Sequence, residues 1–404
     1  LVSSWNETVP ALAEKEDGFL TLEGLRTGTM MHIAMHDAVA AIDDRYAPYI
    51  YDASAEGMDP IVAATQAAFT VASDQYPGHR DQLAALRDQW LSVATDGPAK
   101  EAGIVIGNAS AAAILDDRKG DGWDTTVEYT WHPMGPGVYA EFSEHSGTPQ
   151  GFVFGAGWAK ARGFALASAN QFRSPAPPDI DSNAYTQAFN EVKLVGRFQR
   201  MRRTPDQTHL ALWWKDFAES SHNRLARDLA AKEGLSLGES ARLFALVNMS
   251  IFDAYVSVFE NKFFYNHWRP YTAIRWAAND GNPNTAPEET WTNTHQHTYA
   301  FPSYPSAHGT ACAAAQSVFA AVFGDDYSFT MYTERVDIGG PMSGKIEMQP
   351  VARSFDSFSD AAMECAMSRV YLGIHFRYDS LAGFELGQQV GNHVLANRLR
   401  RMPQ

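Results

Sequence analysis

Positive charge is scarce in this chain of 404 residues: 32 Lys and Arg stand against 47 Asp and Glu, a formal net charge of -15. Such a surface repels phosphate backbones and anionic headgroups over most of its area, which argues against nucleic acid and an anionic membrane as partners. Long apolar runs are lacking as well. The stretch Gly309 to Gly324 is rich in small residues, contains Gln316 and falls short of the roughly 18–20 residues a membrane span requires. Several enzyme signatures are also missing. There is no Walker loop, no dinucleotide fingerprint after a strand, no His-Glu-x-x-His and no Gly-x-Ser-x-Gly elbow, so the chemistries those motifs carry are set aside. Cysteine is almost absent. Cys312 and Cys365 both fall in apolar helical pattern, where a buried thiol is the simpler reading for each and a pair bridging two helices is the other.

Helical periodicity is what the chain does have. Apolar positions recur at helical spacing over 25–42, 60–75, 80–94 and 99–115, each stretch punctuated by Gly, Pro or Asp. From Gly120 to about Asp179 the pattern gives way to aromatic, Gly- and Pro-rich sequence, including Trp131-His132-Pro133 and Ser174-Pro-Ala-Pro-Pro178, which reads as long ordered loops that shape an entrance. Helical pattern resumes over 182–192, 207–233 and 236–261, with strand signal confined to a short hairpin near Thr330–Met348. The expected fold is all-α, a large body of two helical bundles, with residues 1–180 forming the N-terminal bundle and its loops and 181–404 the C-terminal one. An echo supports two related bundles: Met31-His-Ile-Ala-Met-His-Asp37-Ala-Val aligns with Val247-Asn-Met-Ser-Ile-Phe-Asp253-Ala-Tyr.

Three pieces of the C-terminal third complement one another as an anion site. Lys262 and Arg269 lie seven residues apart, two helical turns, so a continuous helix would put both on one face, with Pro270 ending or kinking it. Ser306 precedes the apolar helix expected over 307–323 in the N-cap position, where free N–H groups and the positive dipole end favour an anion, and His308 sits in its first turn. Arg369 and His375 follow, with Asp379 four residues past His375 and, on a helix, on the same side, where it could hold the far imidazole nitrogen. Each element has an ordinary reading too: a solvated basic face, a capped core helix, a structural histidine. Together they supply three cations, a hydroxyl and two histidines, which a tetrahedral oxyanion requires for capture and chemistry.

The series Lys262-x6-Arg269-Pro270, Pro305-Ser306-Ala307-His308 and Ser368-Arg369-x3-Gly373-x-His375-x3-Asp379 resembles the superfamily of vanadium-dependent haloperoxidases and type-2 phosphatidate phosphatases, and its length and helical content resemble the soluble bacterial haloperoxidase-like branch. One residue departs from the pattern: Ala307 stands where Gly is usual, and a residue that offers only a backbone N–H at a helix start can be Ala. The resemblance implies a vanadate cofactor bonded to His375, with Lys262, Arg269, Arg369, the Ser306 hydroxyl and the Ala307 N–H on its oxygens. It implies His308 as the acid–base group, Lys262 assisting peroxide activation, and Asp379 behind His375. Hydrogen peroxide, a halide and a small organic molecule would be the substrates and hypohalous acid the product. Phe301, Phe259 and Trp268 are expected around the halide path.

Phosphate has nearly the same donor requirements as vanadate, so the same residues also suit a phosphatase in which His375 attacks phosphorus and His308 protonates the leaving alcohol. A non-catalytic oxyanion-binding protein is the third reading, against which both histidines count. Leu1 rather than Met opens the sequence, as expected of a secreted or periplasmic protein with its signal peptide removed. An all-helical body of this size often pairs through an apolar helix face, giving a homo-oligomer. Of the weaker signals, His295-Gln-His297 reads as pocket rim and Asp280-Gly-Asn-Pro-Asn284 as a turn.

Overall fold

The structure, a computed structural model, describes residues 1–404 except 19–20, 200–201, 334–347 and 404. It is mostly helical with two short strands, and the helix ends follow from local chemistry. Asp59 caps the helix Pro60–Gln75, its carboxylate accepting from Ile61 N at 2.9 Å and Val62 N at 3.2 Å, with Pro60 at the first position where a missing N–H costs nothing. Thr204 and Gln207 form a reciprocal capping box at the head of Pro205–Trp213. The single helix expected over 207–233 is therefore two, Pro205–Trp213 and Ala218–Lys232. Between them Lys215 and Asp216 are buried, Lys215 bonding His295 and Asp216 accepting from Thr333, and those polar partners override helical continuity.

The strands Asp326–Tyr332 and Ala352–Ser357 pair antiparallel, with Phe329 opposite Phe355. They flank the hairpin expected near 330–348, of which residues 334–347 lie outside the described residues.

The chain forms two compact units. One comprises 1–123, 222–252 and 392–404, the other 124–221 and 253–391. The junction expected at 180 falls inside the second unit, because the loop-rich stretch 124–181 joins it rather than the N-terminal helices. In the first unit the helix Leu22–Ala40 carries Asp37, whose carboxylate accepts from three consecutive backbone N–H groups, Tyr49, Ile50 and Tyr51, at 2.7, 2.9 and 2.9 Å. In the second, Asp253 accepts from Phe164, Ala165 and Leu166 at 2.6, 2.8 and 3.0 Å. Both acids of the sequence echo thus do the same local work.

Asp253 lies on Leu237–Tyr265, a helix of 29 residues. By length and composition it is apolar enough to cross a membrane, with a mean hydropathy of 1.4, but 94% of that window is buried inside the protein. It is longer than the Gly309 to Gly324 stretch, and its apolar residues are accounted for by core packing.

In the second unit the helix Arg377–Asn397 lies tightly on Ala307–Phe323. A Cβ on Gly383 would overlap Ser306 backbone, and one on Gly387 would overlap Thr310 backbone. The spacing of four places these glycines on one face, so the backbones meet where side chains would hold them apart. Ala307–Phe323 is also joined covalently to Phe358–Leu372: Cys312 and Cys365 form a disulfide, Cα atoms 6.7 Å apart. The buried-thiol reading is corrected here. Two cysteines at separate helix positions carry no sequence mark of pairing until packing brings the helices face to face.

Candidate oxyanion site

Lys262 lies in the last turn of Leu237–Tyr265. That helix ends at Asn266, whose φ of 49° is left-handed, and Arg269 is extended (φ −88°, ψ 154°) as the N-cap residue of Pro270–Trp276. The two cations therefore do not share a helix face as expected. Asn266 breaks the helix, while Pro270 forces its predecessor into extended backbone and starts the next helix rather than ending the first. Convergence comes instead from a shared handle. Lys262 Nζ donates to Pro302 O and Ser303 O at 2.9 and 2.8 Å, and Arg269 Nε donates to Phe301 O at 2.8 Å. Both cations also sit over the Phe301 ring, 5.1 and 4.7 Å from its centroid, which adds cation–π attraction in a dry setting.

Ser306 caps Ala307–Phe323 as expected, its Oγ accepting from Gly309 N at 3.3 Å while its own N–H donates to Asp379 O at 2.9 Å. Ala307 is the first helical residue, where backbone that suits Ala is required. His308 follows in the same turn, half-buried.

Arg369 lies in the last turn of Phe358–Leu372, Nη1 donating to Trp214 O at 3.0 Å. Gly373 ends that helix at φ 84°, with a Cβ there overlapping Gly196 backbone, so both conformation and space require glycine. His375 consequently lies in the two-helix junction, and Asp379 in the first turn of Arg377–Asn397. They are not on one helix side as expected, yet His375 Nδ1 stands 3.0 Å from Asp379 Oδ2. That oxygen also accepts from Ser303 Oγ at 2.6 Å and Phe376 N at 3.1 Å. Ser303 went unrecognised in the sequence, its only signal being a hydroxyl three residues before Ser306.

The tautomer of His375 follows from its neighbours. Arg269 Nη1, which can only donate, lies 3.1 Å from Nε2. Nε2 is then the lone pair and Nδ1 carries the proton that Asp379 accepts. Burial holds His375 well below the ordinary histidine range, and Arg269, Lys262, Arg369 and His308 push it further the same way. Burial likewise lowers Lys262 well below its usual value and Arg269 to about 10, while it raises Asp379 to about 7. Two buried cations, Lys262 and Arg269, thus act on one carboxylate, and an added anion would relieve both.

Around this cluster the aromatic wall is built by Phe259, 5.2 Å from Phe301 between centroids, with Trp158 at 4.6 Å from Phe259 and Phe154 at 5.9 Å from Phe301. Phe154 and Trp158 come from the loop-rich stretch expected to shape an entrance. Trp268 is placed otherwise: it is buried in an aromatic core with Tyr185 and Trp276, at 6.2 and 6.1 Å. His295 is no rim residue either, being buried with Nδ1 2.7 Å from Lys215 Nζ, a partner the loop sequence could not reveal. Asp280 does form a turn, its two oxygens accepting from Asn282 N at 2.8 Å and Thr285 Oγ1 at 2.7 Å.

Residues 242–402 match the family described as the VCPO second helical-bundle domain. A vanadium chloroperoxidase of Curvularia inaequalis is 26% identical over 268 residues, 52% of this chain and 43% of that protein. The chain is related to the vanadium haloperoxidases. It matches less than half the length of that curated relative. Among solved structures, a bacterial vanadium-dependent iodoperoxidase superposes with a TM-score of 0.79 at 22% identity, covering 100% of this chain and 97% of the other. A holo-type bacterial vanadium-dependent chloroperoxidase gives 0.69 at 16% identity, covering 93% and 92%. These likenesses support the helical-bundle fold.

Proposed function

We propose that the protein is a vanadium-dependent haloperoxidase that uses hydrogen peroxide to oxidise a halide to hypohalous acid. The observation that carries the reading is Arg269 Nη2, which is fully buried and has no hydrogen-bond partner among the described residues. A guanidinium N–H so placed requires an acceptor, and it belongs to a cluster of three cations and a lone-pair imidazole that suits a tetrahedral oxyanion. Vanadate fits that donor set.

His375 Nε2 would hold the vanadium, and Lys262, Arg269, Arg369, the Ser306 hydroxyl and the Ala307 N–H its oxygens. When bound, vanadate supplies a Lewis-acidic centre that activates peroxide toward halide without changing oxidation state. The protein contributes preorganised charge: the cations are locked by main-chain carbonyls before any anion arrives, so little reorganisation is required. His308, half-buried on the first helical turn, takes and returns the proton of the incoming peroxide. Asp379 keeps the proton on Nδ1, which leaves Nε2 free to bond, and the Ser303 hydroxyl keeps Asp379 in place. Phe301, Phe259, Phe154 and Trp158 exclude water, which strengthens every charge interaction inside.

The disulfide Cys312–Cys365 supports a location in an oxidising compartment, secreted or periplasmic. Val105, exposed on the helix Pro98–Asp117, and Val93, exposed in the turn after Arg80–Leu91, offer apolar contacts for the pairing of two chains.

The test is a vanadate titration of the apoprotein with hydrogen peroxide and iodide or bromide, using a halogen-trapping dye. Saturable, vanadate-dependent dye halogenation is expected. Hydrolysis of a nitrophenyl phosphate that vanadate inhibits, with no halide oxidation, would replace the reading with the phosphatase one. Vanadate binding with neither turnover would leave an oxyanion-binding protein.

A further inference from the structure

The disulfide lies directly beneath the acid–base histidine. Cys312 follows His308 by four residues on the helix Ala307–Phe323, hence one turn below it on the same face. Cys365 faces it from Phe358–Leu372, one turn before Arg369. One nitrogen of His308 and the two sulfurs all lie within 4.8 Å of one another.

We propose that the reduced protein binds a soft divalent metal ion, of the zinc or cobalt type, through Cys312, Cys365 and His308. Two thiolates and one imidazole are a recognised tetrahedral ligand set, with metal–sulfur distances near 2.3 Å and metal–nitrogen near 2.0–2.1 Å, which makes the edges of the site roughly 3.5–3.8 Å. Side chains already within 4.8 Å reach those edges by small rotations once the sulfurs are no longer bonded to each other. Among the described residues no fourth His, Cys, Asp or Glu joins the group, so the fourth ligand would be a small donor such as water.

Charge decides between this site and an ordinary dication site. Arg369, one turn past Cys365, would repel a bare divalent ion, but a metal with two thiolates is electrically neutral. The same cation favours thiolate over thiol.

The chemistry balances. A dithiol reductant gives two electrons and two protons to the Cys312–Cys365 bond, which breaks to two thiols as the reductant closes its own disulfide. The metal then displaces two protons on binding. Hydrogen peroxide reverses the state: with two protons it takes two electrons from the thiolates, the sulfur–sulfur bond reforms, two waters are produced and the metal is released. A bound metal removes His308 from proton transfer. That consequence rests on the proposed function; the metal site does not.

The experiment uses the full chain, reduced with a phosphine under inert gas, thiols counted, and titrated with Co²⁺. Two thiols and one Co²⁺ per chain are expected, with a thiolate-to-cobalt charge-transfer band and the visible bands of tetrahedral cobalt. The oxidised protein shows neither band. Cys312→Ser and Cys365→Ser lose the charge-transfer intensity in proportion to the sulfur removed, and His308→Ala alters the visible bands. Adding hydrogen peroxide to the loaded protein abolishes both bands. The proposal is overturned by a disulfide that stays closed in the folded protein, by reduced protein that gains no charge-transfer band, by equal cobalt binding in the oxidised form, or by a spectrum indifferent to His308→Ala. Each outcome is read from thiols and spectra, independently of halide oxidation.

Discussion

Arg269 Nη1 stands 3.1 Å from His375 Nε2, so a permanent donor already rests on the lone pair assigned to the metal. The imidazole is thereby fixed in one tautomer from both sides, by Arg269 at Nε2 and Asp379 at Nδ1. On the proposed reading, an oxyanion arriving between them would take over the guanidinium N–H.

His375→Ala removes the imidazole whose lone pair faces Arg269 and should abolish halide oxidation while circular dichroism stays unchanged. Steady-state assays across a vanadate series check it; an active variant sinks the assignment of His375.

Asp379→Asn removes the charge behind His375 and replaces one of its two acceptor oxygens with an NH2 donor, beside a carboxylate oxygen that three donors share. Outer-shell partners of this kind are worth roughly 10–100-fold in metal affinity, so vanadate binding should weaken by about that factor. Ser303→Ala should have a smaller effect in the same direction. Equilibrium dialysis at fixed pH measures both, and an unchanged Asp379→Asn affinity would show that the pair does not orient the ring.

Acidification should destabilise the protein. Burial lowers His32 and His267 to about 3 and His36 and His145 to about 4, and holds His295 and His375 well below the usual value. Each such histidine stays neutral when folded and protonates when unfolded, so its contribution is present above about pH 6.5 and lost as pH falls toward the folded value. Asp37, Glu219 and Asp379, raised to about 6, 7 and 7, oppose the trend over the same window but are fewer. Thermal unfolding in phosphate-free buffer should show Tm falling from pH 6.5 to 4.5, with a shallower slope in His267→Gln. A flat profile would contradict the buried neutral histidines.

Gly387→Val puts side-chain carbon where Thr310 backbone sits, and must push Arg377–Asn397 off Ala307–Phe323. Overpacking of this kind costs typically 1–3 kcal/mol. Because Ser306 N is tied to Asp379 O across the same contact, anion affinity should fall together with urea stability. Lost stability with intact anion binding would separate the glycine stripe from the site.

Much of the site was legible because its signals are local. Ser306 before an apolar run announces an N-cap, and the helix Ala307–Phe323 begins and ends where the pattern says. Relations between distant pieces were not. The break at Asn266 depends on a left-handed residue that spacing does not reveal, so Lys262 and Arg269 read as one helix face. The pairing of Cys312 with Cys365, and the burial of Lys215 against His295, arise only when separate segments pack. The echo around Asp37 and Asp253 was visible as a pattern, but its meaning came from what each carboxylate gathers, three successive N–H groups of a remote loop.

Lys262 Nζ and Arg269 Nε are anchored to the main-chain carbonyls of Phe301, Pro302 and Ser303. Peptide oxygens persist through any substitution, so the walls of this chamber can be rewritten, ring by ring, to suit ions of different size without unfastening the charges that hold its occupant.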